Sequence, residues 1–277
     1  MATMTAPASQ APVLPAPSGR AGFAGAVRSE FTKLRSVRST YWTLLALAVA
    51  TIGIGMLISW GTESHWNNMS PADRATFDAT STSLTGLFLG QLVIVVLGAL
   101  IITSEYSTGM IRTSLTAMPR RPVVYAAKAT VFTAVALVIG LVTSFISFFL
   151  GQALLHSTNA SVTLSQPNVL RAVIGGGLFI AACGLFAFGI GAILRHTAGA
   201  ITAGIGLLFV LPIFSQFLPS SIRDHVQKFL PSAAGSDIWT TRPQAHFYGV
   251  WTEFAIFLAY TVALVVIGGV LFRKRDA

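Results

Sequence analysis

Charge is scarce in this chain. Only 10% of its 277 residues are Asp, Glu, Lys or Arg, against about 25% in an average soluble domain, and 53% are hydrophobic. So few polar side chains do not cover a water-facing surface, so the composition excludes a soluble fold and requires a bilayer as solvent. It also excludes a disordered or collagen-like chain. Cysteine is nearly absent. The lone Cys183 lies in an apolar run, forms no internal disulfide or multi-cysteine metal site, and reads as a small packing residue. Catalytic signatures are missing too. No G-x-x-x-x-G-K-[ST] cradle for nucleotide phosphates occurs. No H-E-x-x-H occurs, and His65, His156, His196, His225 and His246 are scattered outside the apolar runs. No G-x-S-x-G elbow with Asp and His partners stands out. Arg171, Lys128 and Glu253 fall near the edges of apolar runs, so no ionisable residue sits mid-span. The buried midplane charges of a proton- or sodium-coupled transporter are therefore lacking, and solute movement would draw its energy from another protein.

What is present is six apolar stretches of bilayer-spanning length, about 41–60, 84–103, 124–155, 171–194, 198–218 and 249–272. The third is overlong and is expected to tilt or project. Arg195, His196 and Thr197 alone separate the fourth from the fifth, which predicts a tight turn. With both termini inside, the inner segments hold Arg20, Arg28, Lys33, Arg35, Arg38, Arg112, Arg120, Arg121, Lys128, Arg195, Arg273, Lys274 and Arg275. Only Arg74, Arg171, Arg223, Lys228 and Arg242 fall outside, so the positive-inside bias predicts an N-in, C-in chain. That asymmetry accounts for the net charge of +9 without a nucleic-acid partner. Tyr41, Trp42, Trp60, Trp239, Tyr248 and Trp251 mark span edges, where amphipathic rings prefer headgroup depth.

The fold class expected is an all-α polytopic membrane protein with a single transmembrane domain over 21–277. Residues 1–20 carry Pro7, Pro12, Pro15 and Pro17 and lack the pattern of a cleaved signal, which predicts a disordered tail. Residues 21–40 place Phe23, Val27, Phe31, Leu34 and Val37 on one helical arc with Arg28, Lys33 and Arg35 off it, an amphipathic helix on the inner surface. Glu30 falls near the apolar arc and either pairs with Lys33 or faces another inner segment. Residues 105–117 predict a short inner helix with Met110, Ile111 and Leu115 apolar, ended by Pro119 and suited to docking on a soluble partner or to serving as a plain loop. An outer helix follows the fifth span, with Ile222, Val226, Phe229 and Leu230 on one face, ending at Pro231 before Ala234–Asp237 turns the chain back. Pro212 is expected to kink the fifth span. Gln91, Gln152 and Gln216 are the polar residues within spans, either lining a pathway or bonding between helices. Gly86, Gly90, Gly175–Gly177, Gly184, Gly189, Gly191, Gly199, Ala200 and Gly204 allow close helix approach, within one chain or between two.

The run Arg28-Ser29-Glu30-Phe31-Thr32-Lys33-Leu34-Arg35-Ser36-Val37-Arg38-Ser39-Thr40-Tyr41-Trp42 resembles the N-terminus of actinobacterial ABC-2-type permease subunits. Glu105-Tyr106-Ser107-Thr108-Gly109-Met110-Ile111-Arg112, with Pro119-Arg120-Arg121 after it, is similar to that family's coupling segment. Leu230–Gly235 and the terminal Arg273-Lys274-Arg275-Asp276 look like the family as well, so the resemblance spans about 20–277. It implies a non-catalytic plasma-membrane exporter subunit of a bacterium. The subunit would dimerise with itself or a sister permease and pair with two copies of a separate ATPase. ATP and Mg2+ would be bound by that partner, and no cofactor or metal by this chain. It implies that Glu105, Tyr106, Thr108, Gly109, Met110, Ile111 and Arg112 couple to the ATPase, that Arg28, Glu30, Lys33 and Arg35 contact it from the surface helix, and that the outer helices after Pro219 gate the exit. Two other classes compete. A membrane enzyme acting on lipid or peptide would draw on Glu253, His246, Asp237 and Arg242. A structural or sensory subunit needs no site at all.

Overall fold

A computed structural model describes residues 22–111, 116, 120–227, 229–242 and 248–275. The Pro-rich stretch 1–20 lies outside the described residues. The chain opens with α1 (Phe23–Ser36), then α2 (Arg38–His65), two short helices α3 (Pro71–Thr76) and α4 (Ala79–Leu84), and α5 (Leu87–Ser107). It continues through α6 (Arg121–Leu155), α7 (Val169–Leu194) and α8 (Thr197–Ile205). A π-helical stretch Gly206–Val210 joins α8 to α9 (Leu211–Ser215), and α10 (Ser220–Gln227), α11 (Pro231–Ser236) and α12 (Val250–Lys274) follow. Among the described residues six helical segments are long and apolar enough to cross a membrane: Arg38–Asn68, Ala79–Ser107, Arg121–Thr158, Val169–Leu194, Thr197–Ser215 and Val250–Lys274. They pass alternately up and down, so α1 and the end of α12 share one end of the bundle. No strand occurs among the described residues.

The bundle is built around α7, which packs against α5, α6 and α12. Small residues make this possible. A side-chain carbon on Gly98 would collide with the Gly184 carbonyl, and one on Gly140 would meet the Gly177 backbone at 2.8 Å. Backbones this close gain dispersion contact that lipid cannot offer, which is how helices associate where no hydrophobic driving force separates them from solvent. The buried seam of α2 repeats every fourth residue, through Leu47, Thr51, Gly55 and Ser59. Its opposite face presents Trp42, Leu45, Val49, Leu57 and Trp60. The whole molecule follows this inversion. Thr51, Ser83, Ser144, Ser147 and Thr261 are buried, while Val138, Val142, Phe149, Val262, Val266 and Val270 point outward. Apolar side chains outside and hydroxyls within define a bilayer-embedded protein.

Local chemistry sets the element ends. Ser70 caps α3 by accepting from the Asp73 amide, with Pro71 at the first helical position. The turn between α7 and α8 is as tight as expected: Arg195 adopts left-handed backbone (φ 56°), and His196 accepts from the Gly199 amide at 3.2 Å to start α8. Pro212 lacks the donor for a regular helical bond, and the chain absorbs this by widening to π-helix at Gly206–Val210 and restarting at Leu211. The sequence places the end of the outer helix at Pro231 and a turn over Ala234–Asp237. In the structure α10 stops at Gln227, and Pro231 instead opens α11, because proline suits the first turn of a helix. A 3-10 turn, Asp237–Trp239, then carries the reversal. Of the expected apolar face, Leu230 is buried while Ile222 and Phe229 are exposed.

Candidate functional site

Four charged side chains meet at the end of the bundle that holds α1. Lys128, on the second turn of α6, donates to Glu30 Oε2 at 2.6 Å and to Glu105 Oε1 at 2.8 Å. Lys33 donates to Glu30 Oε1 at 2.7 Å and to Glu105 Oε1 at 3.3 Å. Glu30, Glu105 and Lys128 are each at most 6% exposed; Lys33 is half-buried. Two carboxylates and two ammoniums cancel, so the cluster joins α1, α5 and α6 without net charge. Burial alone would raise the Glu30 carboxyl, but Lys128 and Lys33 outweigh it and hold the group below the usual carboxylate range. Burial would likewise lower Lys33, but its bond to Glu30 and the charge of Glu105 leave it above the usual lysine value. Such a cluster fixes how elements sit, because removing one member leaves an uncompensated buried charge.

The expected inner helix over 105–117 is corrected in one respect. Glu105 and Tyr106 belong to the last turn of α5, which runs on to Ser107 because its backbone bonds continue through Thr108. The break comes at Gly109, whose φ of 71° is the left-handed conformation that glycine adopts without penalty. Met110 and Ile111 are helical again; Ile111 is buried and Met110 exposed. Arg112 and Leu115 lie outside the described residues, as does Pro119. Tyr106 packs toward the α7–α8 turn and α12, with the Arg195 guanidinium 4.8 Å above its ring and Phe272 edge-on at 6.5 Å. Thr108 stands exposed at the break.

On α1 the expected division is also revised. Arg28 and Arg35 are exposed, but Lys33 turns inward with Glu30, because α1 lies against α6 rather than on lipid alone. Phe23 and Phe31 remain exposed, and Ala26 fills the contact. Glu30 pairs both with Lys33 and with Lys128 of α6, a second segment at the same end of the bundle. Lys128 is the member that sequence reasoning did not single out. Its signal was a lysine about 10 Å inside an apolar helix, by the rise of 1.5 Å per residue, which demands a buried partner.

The three glutamines are not brought together. Gln152 donates to the Ala79 carbonyl and Ser83 Oγ at 3.0 and 2.9 Å and accepts from the Val162 amide, so it is an interhelical brace. Gln91 is buried, with no partner for its amide nitrogen among the described residues. Gln216 is exposed beyond α9. At the opposite end of the bundle, Asp78 caps α4 and accepts the Thr241 and Arg242 amides at 3.0 and 3.2 Å, while Arg171 donates to the carbonyls of Ile238 and Thr240. Burial would raise the Asp78 carboxyl, but bonds from Ser81 and Thr241 hold it below its usual value. Arg242 donates to the Ala75 carbonyl, and Asp237 and Glu253 are buried. His246, the remaining member of that outer group, lies outside the described residues.

Six helices long and apolar enough to cross a bilayer, with small residues and hydroxyls within and charged groups at the bundle ends, define a multi-pass membrane protein. The chain belongs to the ABC-2 family of transporter proteins, whose family model matches residues 26–220. It is therefore a membrane component of a transporter, of the permease type. The matched range includes all four members of the charge cluster and stops before α11 and α12. No curated protein matches the chain.

Proposed function

We propose that this chain is the permease subunit of an ABC exporter in a bacterial plasma membrane. It moves hydrophobic or amphipathic cargo, such as a drug, antibiotic, peptide or lipid, by using ATP hydrolysis on a separate subunit. Two ATPase copies and a second permease, identical or a sister, complete the assembly, and ATP and Mg2+ belong to the ATPase. The end carrying α1 and the charge cluster faces the cytoplasm, as the excess of Lys and Arg there favours. The observation that carries the reading is the connection between the Gly109 break and the buried cluster. A partner pressing on the segment from Thr108 onward moves the end of α5, and Glu105 passes that displacement to α1 and α6. In this reading Met110 and Arg112 meet the ATPase directly, as do Arg28 and Arg35 from α1. Glu30, Lys33 and Glu105 act from behind as positioning residues.

The test is to solubilise the tagged chain gently from its host with nucleotide present. Recovery of a P-loop ATPase in equal ratio, and its loss when Met110 and Arg112 are replaced by Ala, supports the reading. Recovery of the chain alone overturns it.

A further inference from the structure

Three arginines lace together the ends of α6, α7 and α12. Arg121, opening α6, donates to the Arg275 carbonyl at 2.9 Å, and Arg275 donates to the Ile193 carbonyl at 3.2 Å. Arg195, in the turn after α7, donates to the Leu271 carbonyl at 3.2 Å. Each of these carbonyls lies at a helix C-terminus, so the bonds fix the guanidiniums in place and leave their charge standing. Segments 120–121, 195–196 and 273–276 hold six Lys or Arg and one acid, Asp276, a net charge of +5 with His196 neutral. Helix dipoles do not offset it, because α5, α7 and α12 end here while α2, α6 and α8 begin here. Glu30 and Glu105, at the same end, are already matched by Lys33 and Lys128.

An apolar ribbon leads into this patch. Leu258, Val262, Val266 and Val270 are exposed at every fourth residue of α12, and Lys274 is next in the same register, with Arg273 beside it. From Leu258 to Val270 the ribbon runs about 18 Å, more than half of a hydrocarbon core roughly 30 Å thick. The cations therefore stand at headgroup depth, directly above a path for acyl chains. We propose that the patch binds the phosphodiester head of an anionic bilayer phospholipid, with its chains along the α12 ribbon. Guanidinium forks match phosphate oxygens in pairs. A zwitterionic lipid offers the same phosphate but brings its own ammonium, so the net field of the patch selects the anionic head. A soluble acidic peptide would suit the charge but leave the ribbon unused. The site depends neither on the permease reading nor on which side of the membrane this end faces.

The experiment uses the full chain in phosphatidylcholine nanodiscs doped with a phosphatidylglycerol probe that carries a diazirine in its acyl chain, with crosslinked peptides read by mass spectrometry. Labelling is expected at residues 262–275, above that from a matched phosphatidylcholine probe, and competed by unlabelled phosphatidylglycerol. Arg273→Gln with Lys274→Gln, at exposed positions whose side chains take no part in the lacing, should weaken competition about fivefold for each charge removed, and less at high salt. Exchanging the two, Arg273→Lys with Lys274→Arg, should preserve it. Arg28→Gln with Arg35→Gln, on α1 at the same end, should leave it unchanged. Equal labelling by the phosphatidylcholine probe, or competition unaltered in the Gln pair, overturns the site. An equal loss in the α1 pair overturns it too, by showing a general charge effect. Competition by inorganic phosphate as strong as by the lipid overturns the lipid assignment in favour of a soluble anion. Loss of labelling when an ATPase is added, with loss of ATPase binding in the Gln pair, assigns the patch to a protein surface and likewise overturns it. Recovery of the chain without any ATPase would defeat the permease reading while leaving the labelling intact.

Discussion

Lys128 is the residue on which the α1 end of the bundle turns, since among the described residues it alone bonds both buried carboxylates at under 3 Å. Lys128→Met should lower stability in detergent by about 3–5 kcal/mol, the cost of stranding buried charge. Adding Glu105→Gln should recover part of that loss. A double-mutant cycle on unfolding midpoints measures the coupling, and simple additivity would show the pair to be independent. The cluster also dictates a pH response. Glu30 is held below its ordinary value of 4.5, so its contribution is complete above that pH and is lost as pH falls further. Lys33 is raised above 10.5, so its contribution is complete below that pH and is lost only as pH climbs past it. The contribution of these two groups to thermal stability should therefore be flat between these limits. Glu30→Gln should be less stable on that plateau but show a shallower acid limb. An acid limb identical to wild type would remove Glu30 from the account.

At the scale of elements, the Gly109 break is a backbone device. Among the described residues no heavy atom would crowd a side-chain carbon there, so the substitution penalty is argued from φ. Gly109→Val should cost more than Gly109→Ala, which should cost about 1–2 kcal/mol, while Gly109→Asn should be best tolerated because Asn visits the left-handed region. In the assembled transporter, ATP-driven transport should fall in the same order while the isolated chain still folds. Equal transport by all three variants would separate the break from coupling. The existence and number of the spans were legible because bilayer thickness demands long apolar runs. The Arg195–His196 turn was legible because only three polar residues interrupt two of them. The end of α5 was not. Glu105 and Tyr106 read as the start of a new helix, since charge after an apolar run looks like an exit from the membrane, whereas here it is matched by charge from α1 and α6. Pro231 misled for a related reason: the same proline that stops one helix is well placed to begin another. Pairings such as Asp78 with Thr241 span the chain and leave no local pattern to read.

For the molecule as a whole, the lone cysteine has a practical meaning. Cys183 is fully buried in α7, so the native chain is nearly blank to thiol reagents. Ser36→Cys and Ser157→Cys, at exposed positions on opposite ends of the bundle, should then react from opposite sides of sealed membrane vesicles, Ser36→Cys from the cytoplasmic side. Labelling of both from one side would contradict the six-crossing topology, and reversal of the sides would contradict the proposed orientation.

The neutrality of the four-residue cluster has a consequence for work against an electric field. Carrying one elementary charge across a membrane potential of 100 mV involves about 2.3 kcal/mol. Two lysines and two glutamates that shift together carry none. In any displacement of α5, α1 and α6 as one body the cluster itself would thus do no work against membrane voltage, whereas the same cluster in a Lys128→Met protein would carry an unbalanced carboxylate through part of the field.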